Sequence, residues 1–213
     1  MNNKSIISRN WVRVIITLAV AGFFSSAQAT VLTYDGTSAG ARDNFTGVVG
    51  TKFTVGGSDV LINYLGFEDA GGDGLTIAHT VELWSSSTTL ERSVTVGSGT
   101  SAFLQDAWRF VSIDAFTLLA NATYWLGGTT VSGSGDAFTD TGAALFGLGS
   151  GIVDADPTNA FCKFAGCGFP ASDGGLIDLR WGPANATYIP LPTTLALFGL
   201  GLAGLGWSKR KKA

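Results

Sequence analysis

Short apolar runs separated by turn-forming clusters recur between residues 30 and 188, and they constrain the fold most. The runs are rich in Val, Ile, Thr and aromatic residues, which favour extended chains. Apolar and polar residues partly alternate in Val81-Glu82-Leu83-Trp84, as half-buried strands require. No amphipathic helical stretch of a dozen residues interrupts the pattern. It predicts an all-β single domain, an antiparallel β-sandwich or jelly roll. The predicted strands are 51–55, 60–67, 80–84, 93–96, 108–113, 123–130 and 176–181.

The turn-forming clusters consist of Gly, Ser and Asp, and the chain has 30 glycines but only five prolines. Such clusters between strand-like runs are typical of tight turns and hairpins. Residues 133–156 are rich in Gly, Asp and Ala and are predicted to consist mostly of loops.

Charge is segregated along the chain. All 16 acidic residues lie between Asp35 and Asp178, whereas seven of the 13 basic residues lie near the two ends. The middle therefore has six basic and 16 acidic residues, a net charge of −10. A domain this acidic repels nucleic acid, so no nucleic-acid partner is expected.

The first 29 residues have the three parts of a secretory signal peptide. A basic leader precedes an apolar run of about eleven residues (14–24), too short to span a bilayer, which needs roughly 20. Ala27 and Ala29 form a small-x-small cleavage site, so the mature chain is expected to begin near Thr30. The alternatives are an uncleaved anchor or a buried helix.

The last residues again have three parts. Pro190-Leu191-Pro192 interrupts the preceding structure, because proline cannot donate to a strand ladder. Residues 193–207 are apolar, but about 15 residues span only about 22 Å as a helix, short of a hydrocarbon core near 30 Å. With residues 189–191 included and the lysines snorkelling to the interface, the segment is just long enough to span the core. A basic end follows and is expected to stay cytoplasmic, which places the body on the other side of the inner membrane. Its residues are Lys209, Arg210, Lys211 and Lys212.

This Pro motif, apolar stretch and basic end resemble the PEP-CTERM sorting signal of Gram-negative bacteria that make exopolysaccharide. The resemblance implies processing by an exosortase, a membrane cysteine transpeptidase, followed by release or transfer to the cell surface. The usual motif is Pro-Glu-Pro, whereas Leu191 stands at the central position here, which leaves the cleavage position open. Residues 65–84 and 118–125 also resemble a recurring ectodomain of exported PEP-CTERM proteins, one without an established chemistry.

The resulting prediction has three parts: a signal peptide (1–29), a sandwich ectodomain (30–188) and a sorting tail (189–213). We expect a non-enzymatic surface or matrix protein that is anchored transiently in the inner membrane and then exported. It would be structural or associated with exopolysaccharide. The alternative is a carbohydrate- or calcium-binding module, and a further alternative is a carboxylate-dependent glycoside hydrolase.

Cys162 and Cys167 are the only cysteines of the chain. In an exported chain such a pair most often forms a disulfide. A zinc site is the alternative, but zinc needs about four ligands and the chain has one histidine.

The acidic loop at residues 68–74 is the candidate calcium site. Glu68, Asp69 and Asp73 surround glycines, and carboxylates with backbone carbonyls can bind Ca²⁺. No cofactor is otherwise expected. The competing interpretation is a hairpin loop capped by aspartates. In the hydrolase hypothesis, Glu68 and Asp73 would be the acid/base pair.

His79 follows this loop and is predicted to be structural, bonded to the turn at Asp69–Asp73; the alternative is a general base. The aromatic residues of the middle either pack in the core or form a sugar-stacking face. They are Tyr64, Trp84, Trp108, Tyr124, Trp125 and Trp181.

Overall fold

The computed structural model describes residues 30–34, 41–139, 146–163, 166–177 and 183–190. The signal peptide predicted for 1–29, the tail from Leu191 onward and Trp181 lie outside these residues. Within the described ranges there is no helix that could cross a membrane. The described part therefore comprises the predicted sandwich and the first residues of the predicted tail.

The described residues form fourteen strands. Each predicted run overlaps a strand, whereas Ile152–Cys162, one of the two longest strands, was not predicted. Tertiary pairing lengthens most of them beyond their most apolar segments. The strands are β1 (Leu32–Tyr34), β2 (Ala41–Arg42), β3 (Gly47–Val55), β4 (Val60–Glu68), β5 (His79–Ser86), β6 (Thr89–Val96), β7 (Phe103–Gln105), β8 (Trp108–Leu118), β9 (Thr123–Thr130), β10 (Phe138–Thr139), β11 (Phe146–Leu148), β12 (Ile152–Cys162), β13 (Ser172–Ile177) and β14 (Ala184–Thr187).

Two sheets make up the sandwich. The larger has the strand order β13-β12-β3-β9-β5-β6, and the smaller has the order β14-β4-β8-β7. Two short pairs, β1 with β11 and β10 with β2, accompany them. All these pairs are antiparallel. The predicted all-β antiparallel sandwich is confirmed.

Alternation along the strands determines which side chains face the core. In β5, His79, Val81 and Leu83 are buried, whereas the residues between them are only half-buried. Leu83 faces Leu126 of β9 across the ladder, and Trp84 faces Trp125 on the opposite surface. The period of two thus places the apolar set inside and leaves a tryptophan pair on the outside.

The core lies between the two sheets and is built from large, fully buried side chains. Phe67 of the smaller sheet and Leu83 of the larger sheet belong to it, with no measurable exposure. Burying each such side chain contributes roughly 1.5–3 kcal/mol.

The sandwich has two ends that differ in chemistry. At the distal end lie the last residues of β4 and β9 and the first residues of β5 and β8. At the tail-proximal end lie the opposite termini of these strands, and there the chain leaves β14 toward Pro190.

Residues 133–156 contain more strand than predicted. Phe138–Thr139 pairs with Ala41–Arg42, and β12 begins at Ile152 and pairs with β3. The Gly-rich composition gives these strands little local strand propensity. Partners more than 90 residues away in sequence stabilise them instead, so local composition does not predict them.

Candidate functional site

Asp69, predicted as a calcium ligand, forms a buried ion pair at the distal end. Arg109 Nε donates to Asp69 Oδ2 at 2.6 Å, and both side chains are almost completely buried. The Arg109 guanidinium also donates to the carbonyls of Thr100, Ala102 and Gly72. Arg109 therefore neutralises Asp69 and ties two loops to β8, a structural arrangement.

Glu68, the second predicted ligand, points to a different partner. Its carboxylate accepts hydrogen bonds from the Thr139 amide at 2.8 Å and the Thr139 hydroxyl at 2.6 Å. Burial raises the pKa of Glu68 to about 7, against the lowering effect of these two hydrogen bonds. Glu68 thus connects the end of β4 to β10.

Asp73, the third predicted ligand, is exposed on the loop between β4 and β5. Gly71, Gly72 and Gly74 around it all have positive φ, and the Gly74 amide donates to the Asp69 carboxylate. This is the aspartate-capped Gly turn of the competing interpretation. Within the described residues no three His, Cys, Asp or Glu side chains form a metal-binding group. Calcium binding here stays a prediction.

His79 has a different partner from the one predicted. It does not bond to the Asp69–Asp73 turn; its Nε2 lies 2.8 Å from Asp136 Oδ2 and its Nδ1 lies 2.7 Å from the Thr129 carbonyl. Asp69 is already paired with Arg109, so the histidine binds a carboxylate 57 residues further along the chain. Both contacts are hydrogen bonds only when both ring nitrogens carry a proton.

Asp136 holds the segment between β9 and β10 on the sandwich. Burial acts to raise the pKa of Asp136, but hydrogen bonds from the Thr76 amide, the His79 ring and the Ile77 amide outweigh it and lower the pKa below its ordinary value. The His79 ring also stacks on Phe67, with centroids 3.7 Å apart. Together these contacts give His79 a structural role.

The two cysteines are paired as a disulfide, Cys162 with Cys167. They close the loop between β12 and β13, which continues into Phe169 and the buried Pro170. Phe169 contacts the rings of both Trp84 and Trp125 edge-on, at 5.7 and 5.3 Å between centroids. The loop therefore lies over the outer face of the larger sheet.

The candidate aromatic residues fall into two groups. Trp108 and Tyr124 are buried in the core, as the packing interpretation predicts. Trp84 and Trp125 are half-buried on the outer face, where Lys52 Nζ lies 5.6 Å from the Trp125 ring centroid. Of the candidate aromatic residues that the structure describes, Tyr64 is also half-buried.

A groove of about 640 Å³ opens between the two sheets at the tail-proximal end. This volume lies within the range of ligand pockets, about 300–1,000 Å³. Ser85 Oγ donates to Glu91 Oε1 at 2.6 Å in its wall. Side chains of both aromatic and hydrogen-bonding character line it, among them Ser85, Glu91, Phe116, Thr123, Tyr124 and Trp125.

Sequence reasoning found Trp125 and Tyr124 but missed Phe116, Ser85 and Glu91. Phe116 lies beyond the predicted end of its strand, and a bulge in the pairing of β5 with β6 shifts the register near Ser85. The alternation of Phe116, Thr117 and Leu118 was a local signal that the strand continues.

The start of the predicted tail is bonded to the smaller sheet. Asn63 Nδ2 donates to the Ile189 carbonyl at 2.9 Å, and the Ile189 amide donates to Asn63 Oδ1 at 2.8 Å. Asn63 was not predicted to be functional; its signal is an amide within the apolar run Leu61-Ile62-Asn63-Tyr64-Leu65.

The comparisons with known proteins concern this same segment. No curated protein and no solved structure matches the chain. Residues 189–211 match the family model of the PEP-CTERM protein-sorting motif, a range that includes Pro190, Leu191 and Pro192. This confirms the resemblance of the tail, while the individual roles predicted for the tail residues and the resemblance of the ectodomain stay predictions. The chain is therefore a protein with a PEP-CTERM sorting motif, which indicates an exported protein and implies processing by an exosortase-type system.

Proposed function

We propose that this protein is a non-enzymatic surface or matrix protein that binds exopolysaccharide through the groove between its sheets. The sorting motif supports the exported location. The observation that carries the binding proposal is the groove itself, with Phe116 and Trp125 in its walls beside Ser85 and Glu91.

The chemistry of the groove suits a carbohydrate. Sugar rings have apolar C–H faces that stack on aromatic rings, and their hydroxyl groups need hydrogen-bonding partners. Phe116 and Trp125 can supply the stacking surface, and Thr123, Ser85 and Glu91 can supply donors and acceptors. The Arg92 guanidinium lies 4.6 Å from the Phe116 ring centroid and places a positive charge close to the groove.

The non-enzymatic part of the proposal rests on the distal carboxylates. Glu68 is buried against Thr139, and Asp73 is exposed on its loop, so the pair has no shared cleft for acid/base work. His79 is engaged on both ring nitrogens. These placements support a structural role for the residues that the hydrolase hypothesis would use.

Binding is tested with an array of bacterial exopolysaccharide oligosaccharides, followed by calorimetry on any glycan retained. We expect Phe116→Ala and Trp125→Ala each to weaken binding roughly tenfold, since a stacking contact contributes about 0.5–1.5 kcal/mol beyond its buried area. Phe103→Ala is the matched control, because Phe103 is 53% exposed and lies on β7, away from the groove.

Two outcomes would overturn the proposal. One is an array on which the wild-type protein retains no glycan. The other is equal weakening by Phe103→Ala and the two groove variants, which would indicate nonspecific adhesion. Release of sugar fragments from the retained glycan would contradict the non-enzymatic part alone.

A further inference from the structure

Asn63 holds the main chain of Ile189 at both of its polar groups. The carboxamide donates to the carbonyl and accepts from the amide of this one residue. Such a pair of bonds imitates the two bonds that a neighbouring strand would make, so it fixes the position and orientation of the peptide.

These two hydrogen bonds, which we call the clamp, attach one further residue of the chain to the smaller sheet. The β14–β4 ladder ends where Thr187 faces Tyr64, and the pairing of β4 with β8 shifts register between Ile62 and Tyr64. Asn63 lies at this register shift. It therefore makes through its side chain the contacts that the backbone ladder no longer makes.

The other side of β14 is covered as well. The Val31 amide donates to the Ala186 carbonyl, and Thr30 forms a bridge with Thr187. All four residues of β14 are buried. Strand β14 is thus part of the fold, and Asn63 moves the C-terminal boundary of the fold to Ile189.

This boundary coincides with the start of the matched motif at residue 189. Pro192 lies three positions after Ile189, so the chain between them can span at most about 10 Å. No flexible linker therefore separates the sandwich from the Pro motif, and the processing enzyme must work against the tail-proximal end.

We infer that Asn63 is a positioning residue for processing of the sorting motif: it holds Ile189 in the fold and restricts cleavage to peptide bonds C-terminal to Ile189. A transpeptidase breaks a peptide C–N bond; the carbonyl carbon passes to an acceptor nucleophile, and the released amine takes up a proton. Its cleft must surround the extended chain around that bond. Ile189 cannot enter such a cleft while its amide and its carbonyl are both bonded to Asn63. Leu191 and Pro192 follow the clamped residue in sequence.

The inference rests on the processing that the motif implies, so two independent measurements are needed. The first is amide hydrogen exchange of the full chain in detergent micelles. We expect Asn63→Ala to accelerate exchange of the Ile189 amide at least about tenfold, with Ala186 unchanged. Asn63→Asp retains the acceptor for this amide and should restore most of the protection.

The second measurement is the mass of the processed product in a host with an exosortase. The wild-type product should retain Ile189, and Asn63→Ala should yield additional products that end before it. Asn44→Ala is the control, because Asn44 bonds to Arg42 on the exposed surface. Thermal melting of each variant separates loss of the clamp from loss of the fold.

Each outcome decides one question. A wild-type product that ends before Ile189, or an Ile189 amide that exchanges at the same rate in Asn63→Ala and Asn44→Ala, would overturn the role of Asn63. If the wild-type chain is not processed at all, the implied processing fails instead. In that case, digestion with proteinase K tests the clamp. Cleavage before Ile189 should occur in Asn63→Ala and not in the wild-type chain.

Discussion

The two ends of the sandwich use polar residues in opposite ways. At the distal end, Glu68, Asp69, His79 and Arg109 are buried, and each is bonded to a protein partner. At the tail-proximal end, polar and aromatic side chains line a groove, and Leu119 is 57% exposed. The titratable residues of the distal end therefore hold loops in place, whereas polar and aromatic residues of the tail-proximal end line an open groove.

The physical reason lies in the cost of burying charge. A buried carboxylate or guanidinium without a partner costs several kcal/mol, so a fold that retains one must surround it with donors or acceptors. Arg109 has four oxygen partners, from Asp69 and three backbone carbonyls. A side chain satisfied in this way has little capacity left for a ligand.

The largest expected effect tests this contrast at Arg109. We expect Arg109→Met to lower the free energy of unfolding by about 3–5 kcal/mol, because Asp69 would remain buried without its counter-charge. Urea unfolding followed by far-UV circular dichroism measures the change. Arg92→Met is the matched control at the tail-proximal end, where Arg92 is only half-buried, and should cost less than about 1 kcal/mol.

The double variant Asp69→Asn with Arg109→Met sharpens the test. It removes both charges, so it should be more stable than Arg109→Met alone. Equal destabilisation by Arg109→Met and Arg92→Met would show that the distal ion pair is no more important than a surface contact.

The second prediction concerns the pH dependence that Glu68 imposes. Its pKa is raised from 4.5 to about 7 in the folded state, so the folded protein retains a proton that the unfolded chain loses near pH 4.5. Stability therefore falls as the pH rises from about 4.5 to about 7, by about 3 kcal/mol in total. Glu68→Gln stays neutral and can keep both bonds to Thr139, so it should be more stable than wild type at pH 8.

The measurement compares the free energies of unfolding of the two proteins from pH 4 to pH 8. Their difference should grow over this window and level off above pH 7. Asp73→Asn replaces an exposed carboxylate and should show no comparable trend. A Glu68→Gln protein that is less stable than wild type at pH 8 would contradict the raised pKa of the buried Glu68.

How far the sequence predicts the fold depends on where a strand gets its stability. Predicted residues 123–130 and strand β9 coincide, since the segment bears a strong local preference and lies in the sheet interior. By contrast, β12 contains Asp154, Asp156 and Pro157 at a register shift, and the residues before and after this shift pair with the distant strand β3. Local propensity cannot reveal a strand that depends on a distant partner.

The candidate site is less predictable for a related reason. The sequence identifies Trp84, Trp108 and Trp125 as candidates, but only the three-dimensional packing separates buried Trp108 from the outward pair. His79 illustrates the same limit, because its partner Asp136 lies 57 residues away. The tail motif needs no folding to be recognised, so it could be identified from sequence alone.

The third prediction concerns the disulfide loop, which packs on the aromatic outer face of the larger sheet. Closing a loop of about six residues contributes about 2 kcal/mol by chain entropy, so the Cys162→Ser, Cys167→Ser double variant should lose about that amount. Phe169 should also cover Trp84 and Trp125 less well. We expect a red shift of tryptophan emission, measured under native conditions.

The single variant Phe169→Ala separates the contribution of the ring from that of the disulfide, since it removes the ring but keeps the disulfide. It should reproduce the red shift with a smaller loss of stability. If the cysteine variant retains wild-type emission, the disulfide does not hold Phe169 on the tryptophan pair.

The smallest expected effect is that of Leu119→Ala, which we compare with the same change at its buried neighbour Leu118, where β8 ends at the groove. Leu118 is fully buried, whereas Leu119 is 57% exposed in the loop that follows. Leu118→Ala should lower the free energy of unfolding by about 2–5 kcal/mol through the cavity it leaves, and Leu119→Ala should change it by less than about 0.5 kcal/mol. Urea titrations of the two variants at one pH provide the comparison. A loss above about 1 kcal/mol for Leu119→Ala would mean that this loop packs against the sandwich in solution, and the tail-proximal end would then be less open than its geometry indicates.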